Sequence, residues 1–435
     1  MPPCNPQQIA NCIISFLILL VLQIKIPSLK DFQSSQNSDE KFGSRKIVVV
    51  TGTSSGLGRK TLKNLLQSNK YHVICGVRDV DKMELVAEED GLDDLPGGKE
   101  NYSIVDLDLA SFASVRNFCD KINVLKEDRP LDRLVCNAAV YQPSLPHAKW
   151  TEDGHEQQLQ INYLSHFLMI SLMLPELAKA EKARVVTVGS VTGNDNTVGG
   201  GGVYPIADLH NLQGLEAGAR NPISMVDGRD FNGAKAYKDS KLMIMMLTNI
   251  LHDRYNRATG IAFSSIYPGC IAASPLFREK RPWFRKYFPV FMKYITGGYV
   301  GEEEAGSRLA QAVTDSRCAK SGVYWSWNGG PREGRGVDAL KNDGNIVGAG
   351  GAGGDADSVF EAPQSDKVHD IEKMNMLWKY SSEVTGAEWI SATSNISPCP
   401  TLRVIGAVTK IIEAKEDLAA EKRIAEVKET QKLVF

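Results

Sequence analysis

A turn with three glycines, placed directly after a short apolar run, constrains the fold of this chain more than any other feature. The turn occupies residues 51–58 with the sequence TGTSSGLG, and the apolar run occupies residues 47–50. Glycines allow a sharp turn and let backbone amides approach a pyrophosphate at the start of a helix. The spacing therefore predicts a strand, a phosphate-binding turn and a helix in that order. The residues expected to contact the phosphates are Gly52, Ser54, Ser55, Gly56, Leu57 and Gly58.

Strand and helix patterns alternate along the chain from residue 46 onward. Six short apolar runs are spaced as strands, and a helical pattern from Leu57 to about Ser68 follows the first of them. Because buried parallel strands read as continuous apolar runs, we expect an α/β fold: a Rossmann-like, doubly wound parallel sheet in a single domain with insertions. The predicted strands are 47–51, 72–77, 102–107, 131–136, 184–188 and 260–267.

The residues after the second predicted strand indicate whether the dinucleotide is NAD or NADP. Proteins that bind NAD place an acidic residue about 20 positions after the glycines, whereas a cation there accommodates a 2'-phosphate. Arg78 lies at this distance from Gly58, and Lys82 follows one helical turn later. We therefore predict NADPH as the cofactor, the alternative being that both cations are simply solvated at a helix start. Asp108 and Leu109, just after the third strand, are predicted to meet the adenine.

A phenol and an ammonium lie four residues apart, at Tyr237 and Lys241, on one face of a predicted helix. Because a nearby ammonium favours the phenolate, we expect the pKa of Tyr237 to fall from about 10 towards neutrality and the phenol to exchange protons with a substrate. Lys241 is also expected to bind the nicotinamide ribose. Asn137 ends the fourth strand beside small residues that leave room for that ribose, and Ser190 ends the fifth strand, where it can bond a substrate or the Tyr237 hydroxyl. Together with the glycine turn, these residues indicate a nucleotide-dependent reductase.

Charge and cysteine usage argue against two other classes of site. The net charge of the 435-residue chain is -2, so no overall field favours nucleic acid. The eight cysteines are scattered, without a CxxC pair or an adjacent histidine cluster, which argues against zinc and indicates reduced thiols. We expect neither a nucleic-acid partner nor a metal.

The two ends of the chain differ in composition from its centre. Residues 9–24 are almost wholly apolar, a length between that of a signal sequence and that of a spanning helix, so residues 1–43 are expected to be a targeting or anchor segment with its linker. A buried core helix is the remaining alternative. Residues 44–390 are expected to form the catalytic domain, with a glycine-rich insertion at 329–368, and residues 391–435 a charged helical tail.

The glycine turn, Asn137, Ser190, Tyr237 and Lys241 resemble the short-chain dehydrogenase/reductase superfamily. Longer strings between about Arg45 and Trp389 are similar to the light-dependent NADPH:protochlorophyllide oxidoreductases. These strings are GAKAYKDSK at 233–241, YPGCIA at 267–272, LFRE at 276–279, KYIT at 293–296 and SGVYWSWN at 321–328.

The resemblance implies a photoenzyme of chlorophyll synthesis in a plastid. Light absorbed by bound protochlorophyllide would drive hydride transfer from NADPH to the ring D double bond, and a proton would follow to give chlorophyllide. It also implies that Tyr237 and Lys241 are catalytic, and that the backbone carbonyl of Asn162 holds a water in a proton relay. Cys270 matches a family cysteine close to the pigment, with Tyr267 beside it. The proton donor stays open between Tyr237 and Cys270.

A segment at 277–294 suits a large, flat and acidic substrate. It carries seven aromatic residues, beginning with Phe277, and six cations against the single carboxylate of Glu279. Aromatic faces can stack on a tetrapyrrole and cations can meet its carboxylate, while the same surface suits a plastid membrane. The alternative is a helix that packs its apolar side chains inward and leaves its charges in solvent. Both can hold, since one face can pack while the other binds.

Three functions remain open from the sequence: the light-driven reductase, a membrane-anchored dark dehydrogenase that acts on a lipid carbonyl, and a pigment-binding scaffold without catalysis. Tyr237 and Lys241 argue against the scaffold. A homo-oligomer is also possible.

Overall fold

A computed structural model describes residues 41–294, 299–326 and 361–391. The chain divides into a unit of residues Met1–Ser44 and a unit of residues Arg45–Phe435, and the fold below is that of the second unit. The apolar amino-terminal run, residues 329–360 of the glycine-rich insertion and residues 392–435 of the charged tail lie outside the described residues. These expectations, and the predicted domain boundaries, therefore stay predictions.

The sheet forms from apolar runs that are buried on both faces. In β1, every residue after Lys46 is buried, and β2 is buried throughout. Within the described residues the strands follow the order β3-β2-β1-β4-β5-β6-β7-β8, with β1 to β7 parallel and β8 antiparallel to β7. The predicted α/β fold is confirmed. The strands are β1 Lys46–Thr51, β2 Tyr71–Val77, β3 Tyr102–Asp106, β4 Arg133–Cys136, β5 Arg184–Val188, β6 Ala262–Tyr267, β7 Val323–Ser326 and β8 Glu361–Ala362.

Helices cover both faces of this sheet, as buried parallel strands require. Counted in chain order by the bounds at the end of this paragraph, helices one, two and seven form one apolar cluster with the sheet. Helices three, four and five lie on the other face of the sheet, and helix eight packs against helices four and five. The bounds are α1 Gly56–Gln67, α2 Val80–Glu89, α3 Phe112–Leu125, α4 Ser165–Leu177, α5 Gly233–Leu251, α6 Pro282–Tyr294, α7 Glu302–Thr314 and α8 Ile371–Thr385. Shorter helical turns are Leu92–Asp94, Gly98–Asn101, Gln157–Leu159, Gln160–Leu164, Val191–Gly193, Val198–Gly201, Gln213–Glu216, His252–Asn256, Arg257–Thr259, Pro275–Phe277, Ser316–Cys318 and Asp366–His369.

The position of β1 determines where ligands can enter. Because β1 lies between β2 and β4, the strand order reverses there and leaves a crevice at the carboxyl ends of the strands. The glycine turn follows β1 at this edge, and the loops after β4, β5 and β6 begin at the same edge. Among the described residues, no helix is long and apolar enough to cross a lipid bilayer.

Helix α5 brings the predicted phenol and ammonium to this edge. It begins after Asn232, whose side-chain oxygen accepts a hydrogen bond of 3.0 Å from the backbone amide of Lys235. Nearly all of its 19 residues are buried because the sheet lies on one side and α8 on the other. This packing fixes the position of Tyr237 and Lys241 on α5.

Candidate active site

One cavity of about 710 Å³ opens at the crevice, a volume typical of sites for small molecules and cofactors. The glycine turn, the loops after β4, β5 and β6, α5 and an aromatic wall enclose it. The predicted site residues that line it are Gly52, Ser55, Gly56, Leu57, Gly58, Asn137, Ser190, Tyr237, Lys241, Tyr267, Cys270 and Phe277. Six predicted residues lie outside its lining: Ser54, Arg78, Lys82, Asp108, Leu109 and Asn162.

The glycine turn has the geometry that a pyrophosphate needs. Gly52 has a φ of +76°, and the Nδ2 atom of Asn137 donates hydrogen bonds of 2.8 and 3.3 Å to the carbonyl oxygens of Thr51 and Gly52. A Cβ atom on Gly58 would lie 2.2 Å from the Gly52 oxygen, so the turn can close only with glycine there. Ser55 precedes α1 without capping it through its side chain, and the first amides of α1 are left for a ligand anion. These residues fit a dinucleotide.

The residues predicted to bind the adenine end of the cofactor follow β2 and β3, the two strands beside β1 on one side of the sheet. Arg78 directly follows β2, and Lys82 stands in the first turn of α2; both are exposed. The amide of Leu107, just after β3, donates a hydrogen bond of 2.8 Å to the oxygen of Val77 at the end of β2, and Asp108 and Arg78 follow these two residues. The side chain of Leu109 is buried. Arg78 and Lys82 are exposed cations at this end of the crevice, and their role at a 2'-phosphate stays a prediction.

The Tyr237 phenol lies between the loop after β5 and the aromatic wall. Burial raises its pKa above the ordinary value, the nearby Tyr141 and Cys270 act in the same direction, and a hydrogen bond with Ser190 acts against them. The expectation that Lys241 lowers this pKa towards neutrality is therefore wrong, because burial dominates and Lys241 is not among the groups that shift it. The Lys241 nitrogen lies 5.7 Å from the centroid of the Tyr237 ring. A phenol that keeps its proton at neutral pH suits a proton donor.

The Lys241 ammonium is fixed by a backbone carbonyl. Its Nζ atom donates a hydrogen bond of 2.7 Å to the Val188 oxygen at the end of β5. Burial lowers the pKa of Lys241 to about 8. The ammonium is thus held between α5 and the sheet, where it can also reach a ribose in the crevice.

The burial of the Lys241 ammonium predicts how the free energy of unfolding changes with pH. Lys241 is 4% exposed, and burial lowers its pKa from the ordinary 10.5 to about 8, so between these values the unfolded chain binds a proton that the folded chain has released. Relative to Lys241→Met, the free energy of unfolding of the wild type should rise by up to about 3 kcal/mol over this pH window. Denaturant unfolding of both proteins at several pH values measures it. A difference that is independent of pH would contradict the prediction.

Asn162 lies in the π-helical turn Gln160–Leu164, behind the cavity wall. Its Oδ1 accepts a hydrogen bond of 2.8 Å from the Val140 amide, and its Nδ2 donates to the Val140 oxygen at 3.0 Å and to Ser240 Oγ at 3.1 Å. The side chain thus ties the loop after β4 to α5. Turns of this kind occur frequently at functional sites. The water-holding role of its carbonyl stays a prediction.

The loop after β6 brings Tyr267 and Cys270 to the cavity. Burial raises the pKa of Cys270 to about 12, so it is a thiol at neutral pH, and burial raises the pKa of Tyr267 well above 10. Sequence reasoning missed Arg308 of α7, which is fully buried and donates a hydrogen bond of 2.8 Å to the Pro268 oxygen. This arginine holds the loop from behind.

An aromatic wall closes the far end of the cavity. Tyr141 packs against Tyr237 with ring centroids 4.5 Å apart, and its edge meets Phe277 at 5.9 Å. Phe277 lies 5.4 Å from Phe288, which stacks on Phe284 at 4.5 Å. Sequence reasoning missed Tyr141, whose only signal is its place just after the end of β4. The wall offers flat apolar faces directly beside the phenol.

Comparisons with known proteins agree with this geometry. Residues 46–207 match the short chain dehydrogenase family. The chain is 44% identical over 364 residues to "Protochlorophyllide reductase, chloroplastic" of Pisum sativum, which covers 83% of each protein. It is 46% identical over 343 residues to the protein of the same name from Cucumis sativus, covering 78% of this chain and 77% of the relative. A solved structure of an uncharacterised protein from Mycobacterium Paratuberculosis shares the fold alone, with a TM-score of 0.52 and 23% identity, covering 80% of this chain and 96% of that one.

Proposed function

Because the chain belongs to the protochlorophyllide reductase family within the short-chain dehydrogenases, we propose that its cavity holds NADPH and protochlorophyllide side by side and that light drives the reaction between them. The chain is an NADPH-dependent oxidoreductase of chlorophyll synthesis, and its place is the plastid. One observation supports the detailed proposal most strongly. A single cavity has a phosphate-binding turn at one end, an aromatic wall at the other and Tyr237 between them.

The chain's own residues divide the task of holding the cofactor. The glycine turn, braced by Asn137, binds the pyrophosphate through the first amides of α1, and Lys241 binds the nicotinamide ribose. Arg78 and Lys82 bind the 2'-phosphate at the open end of the crevice. A cofactor held by these residues would supply the hydride for ring D of the pigment. The protein contributes orientation and the exclusion of water.

Tyr237 rather than Cys270 supplies the proton in this proposal. Both groups keep their protons at neutral pH because burial raises their pKa values. The Ser190 hydroxyl acts on the pKa of the phenol, and it offers a route by which the phenol's proton can be replaced. For Cys270, burial raises the pKa and no neighbouring side chain contributes, so among the described residues the thiol has no comparable partner. Cys270 then contributes to the shape of the pigment pocket.

The function is tested with purified protein, NADPH and protochlorophyllide. Absorbance spectra are recorded in darkness and after illumination, and chlorophyllide is expected only after light. Conversion in darkness would favour the dark dehydrogenase. Pigment binding without conversion under light would favour the scaffold.

We further propose that α6 rests on the membrane surface of the plastid. Four large apolar side chains, Trp283, Tyr287, Val290 and Tyr294, are spaced four, three and four residues apart, so they share one helix face. They are exposed by 60%, 58%, 52% and 62%. Four neighbouring cations suit anionic lipid head groups: Arg281, Arg285, Lys286 and Lys293. Phe284 and Phe288 line the cavity, so pigment and membrane meet two different faces of one helix.

Replacing Trp283 and Tyr287 by serine should weaken binding to anionic vesicles by about tenfold or more, because two large apolar side chains no longer enter the lipid. Co-sedimentation with vesicles of anionic lipid measures the affinity. The control is Val124→Ser, which removes from α3 an apolar side chain that is 78% exposed. An equal loss in the control, or none in the double variant, would contradict the proposal. Self-association without vesicles that the double variant abolishes would instead assign the face to a second copy of the chain.

A further inference from the structure

The charged residues that line the cavity are all cations. They are Lys238, Lys241, Arg278 and Lys280, and no carboxylate lines the cavity within the described part of the chain. The ammonium groups of Lys238 and Lys241 donate to backbone carbonyl oxygens. Arg278 is exposed, and its Nη1 atom lies 3.5 Å from the Pro275 oxygen. An unbalanced positive wall of this kind favours an anionic ligand.

Lys280 differs from the other three cations. It is half-buried, and across residues 41–294, 299–326 and 361–391 no carboxylate or carbonyl oxygen binds its ammonium. Burial lowers the pKa of Lys280 accordingly. Its Nζ atom lies 5.3 Å from the centroid of the Tyr141 ring and 5.3 Å from that of the Phe284 ring. Two aromatic faces therefore hold a cation at the cavity wall, and its charge remains available to a ligand.

The position of Lys280 relates it to the reacting groups. Tyr141, on which the ammonium rests, packs against Tyr237 with ring centroids 4.5 Å apart. Protochlorophyllide carries its single free carboxylate on a propionate arm of ring D, the ring whose double bond is reduced. The arm is short, so an anchor for the carboxylate also fixes the position of ring D. A cation one aromatic ring away from the phenol lies where such an anchor is needed.

We propose that Lys280 binds the propionate carboxylate of the tetrapyrrole and thereby sets ring D against Tyr237. The inference rests on the proposed function and adds a specificity to it, since the site should prefer the free acid over its ester. A charge-assisted hydrogen bond in a partly desolvated site contributes enough to separate the two ligands by at least about tenfold. The aromatic wall, which contacts the ring plane, contributes equally to both.

The experiment compares protochlorophyllide with its methyl ester, which has the same ring system without the negative charge. Dissociation constants are measured in darkness, with NADPH present, by pigment fluorescence. The wild type should bind the acid at least about tenfold more tightly than the ester. Lys280→Gln should lose this preference through weaker binding of the acid, with the ester unchanged, whereas Lys280→Arg should keep it.

The matched control is Lys379→Gln, which removes an exposed lysine that lies 5.2 Å above the Tyr380 ring, outside the cavity lining. It should keep the full preference for the acid. The inference is overturned if Lys280→Gln still prefers the acid as the wild type does. It is also overturned if that variant loses affinity for NADPH instead of pigment, because the cation then serves the cofactor. If the wild type binds both pigments but does not convert the acid in light, the proposed function is contradicted. The role of Lys280 is still tested in that case, because the difference in affinity between acid and ester is measured separately.

Discussion

Tyr237→Phe is expected to lower the yield of chlorophyllide after illumination by about 10²- to 10⁴-fold, the range that a positioned proton donor contributes. The substitution removes the hydroxyl that bonds with Ser190 but leaves the ring that packs on Tyr141 at 4.5 Å. The pocket should therefore keep its shape, and the dissociation constants of NADPH and pigment should stay close to those of the wild type. Single-turnover absorbance after a light flash measures the yield.

Two companion variants make this result specific. Cys270→Ala removes the other candidate proton donor and should lower the yield far less than Tyr237→Phe does. Tyr71→Phe removes a buried phenolic hydroxyl from β2, away from the cavity, and should behave as the wild type. A near-normal yield in Tyr237→Phe together with a large loss in Cys270→Ala would transfer the role of proton donor to the thiol.

The second large effect is expected at the glycine turn, where Gly58→Ala should weaken NADPH binding by at least about 100-fold, or ~2.8 kcal/mol. The added Cβ would lie 2.2 Å from the Gly52 oxygen and 2.6 Å from the Asn137 Nδ2 atom. Both atoms belong to the hydrogen bond that braces the turn, so neither can move without displacing the amides that face the phosphates. Fluorescence titration with NADPH measures the affinity, and thermal unfolding shows whether the fold survives.

Gly301→Ala is the matched control for this prediction. Gly301 also precedes a helix, but a Cβ there would meet nothing within 4 Å, so the variant should bind NADPH as the wild type does. Wild-type affinity in Gly58→Ala would show that the dinucleotide does not use this turn. A protein that unfolds at a much lower temperature would locate the loss in the packing of α1 against β1 instead.

The sheet was predictable because a parallel strand that is buried on both faces has a continuous run of apolar residues in its own sequence. All six predicted strands are present within a few residues. β7 and β8 were not predicted. β7 is four residues long, and β8 is a two-residue strand that exists only through its pairing with β7, so neither has a pattern of its own.

The proximity of Tyr237 and Lys241 was predictable for a related reason. Four residues of helix place Tyr237 and Lys241 on one face wherever the helix lies. The direction of the phenol pKa was not predictable, because it depends on burial by distant segments, which spacing along one helix does not report. Tyr141 and Arg308 were missed because each acts across the fold, one on α5 and the other on the loop after β6.

The segment at 277–294 shows what a sequence pattern can leave undecided. Its aromatic and cationic residues fitted a pigment site, a membrane surface or an ordinary packed helix. In the structure, α6 turns Phe284 and Phe288 to the cavity and Trp283 and Tyr287 to solvent. The pattern contained both faces, but which side of α6 packs on the protein follows from contacts across the fold, such as those of Phe277 with Phe284 and Phe288.

The central claim is that nicotinamide and pigment share one cavity beside Tyr237, and isotope transfer tests it most directly. NADPH carrying deuterium at the transferable position of its nicotinamide is mixed with protein and protochlorophyllide in ordinary water, and half of the sample is illuminated. Mass spectrometry should find chlorophyllide with one cofactor deuterium in the illuminated half and no product in the dark half. Product without deuterium, or equal product in darkness, would contradict the claim.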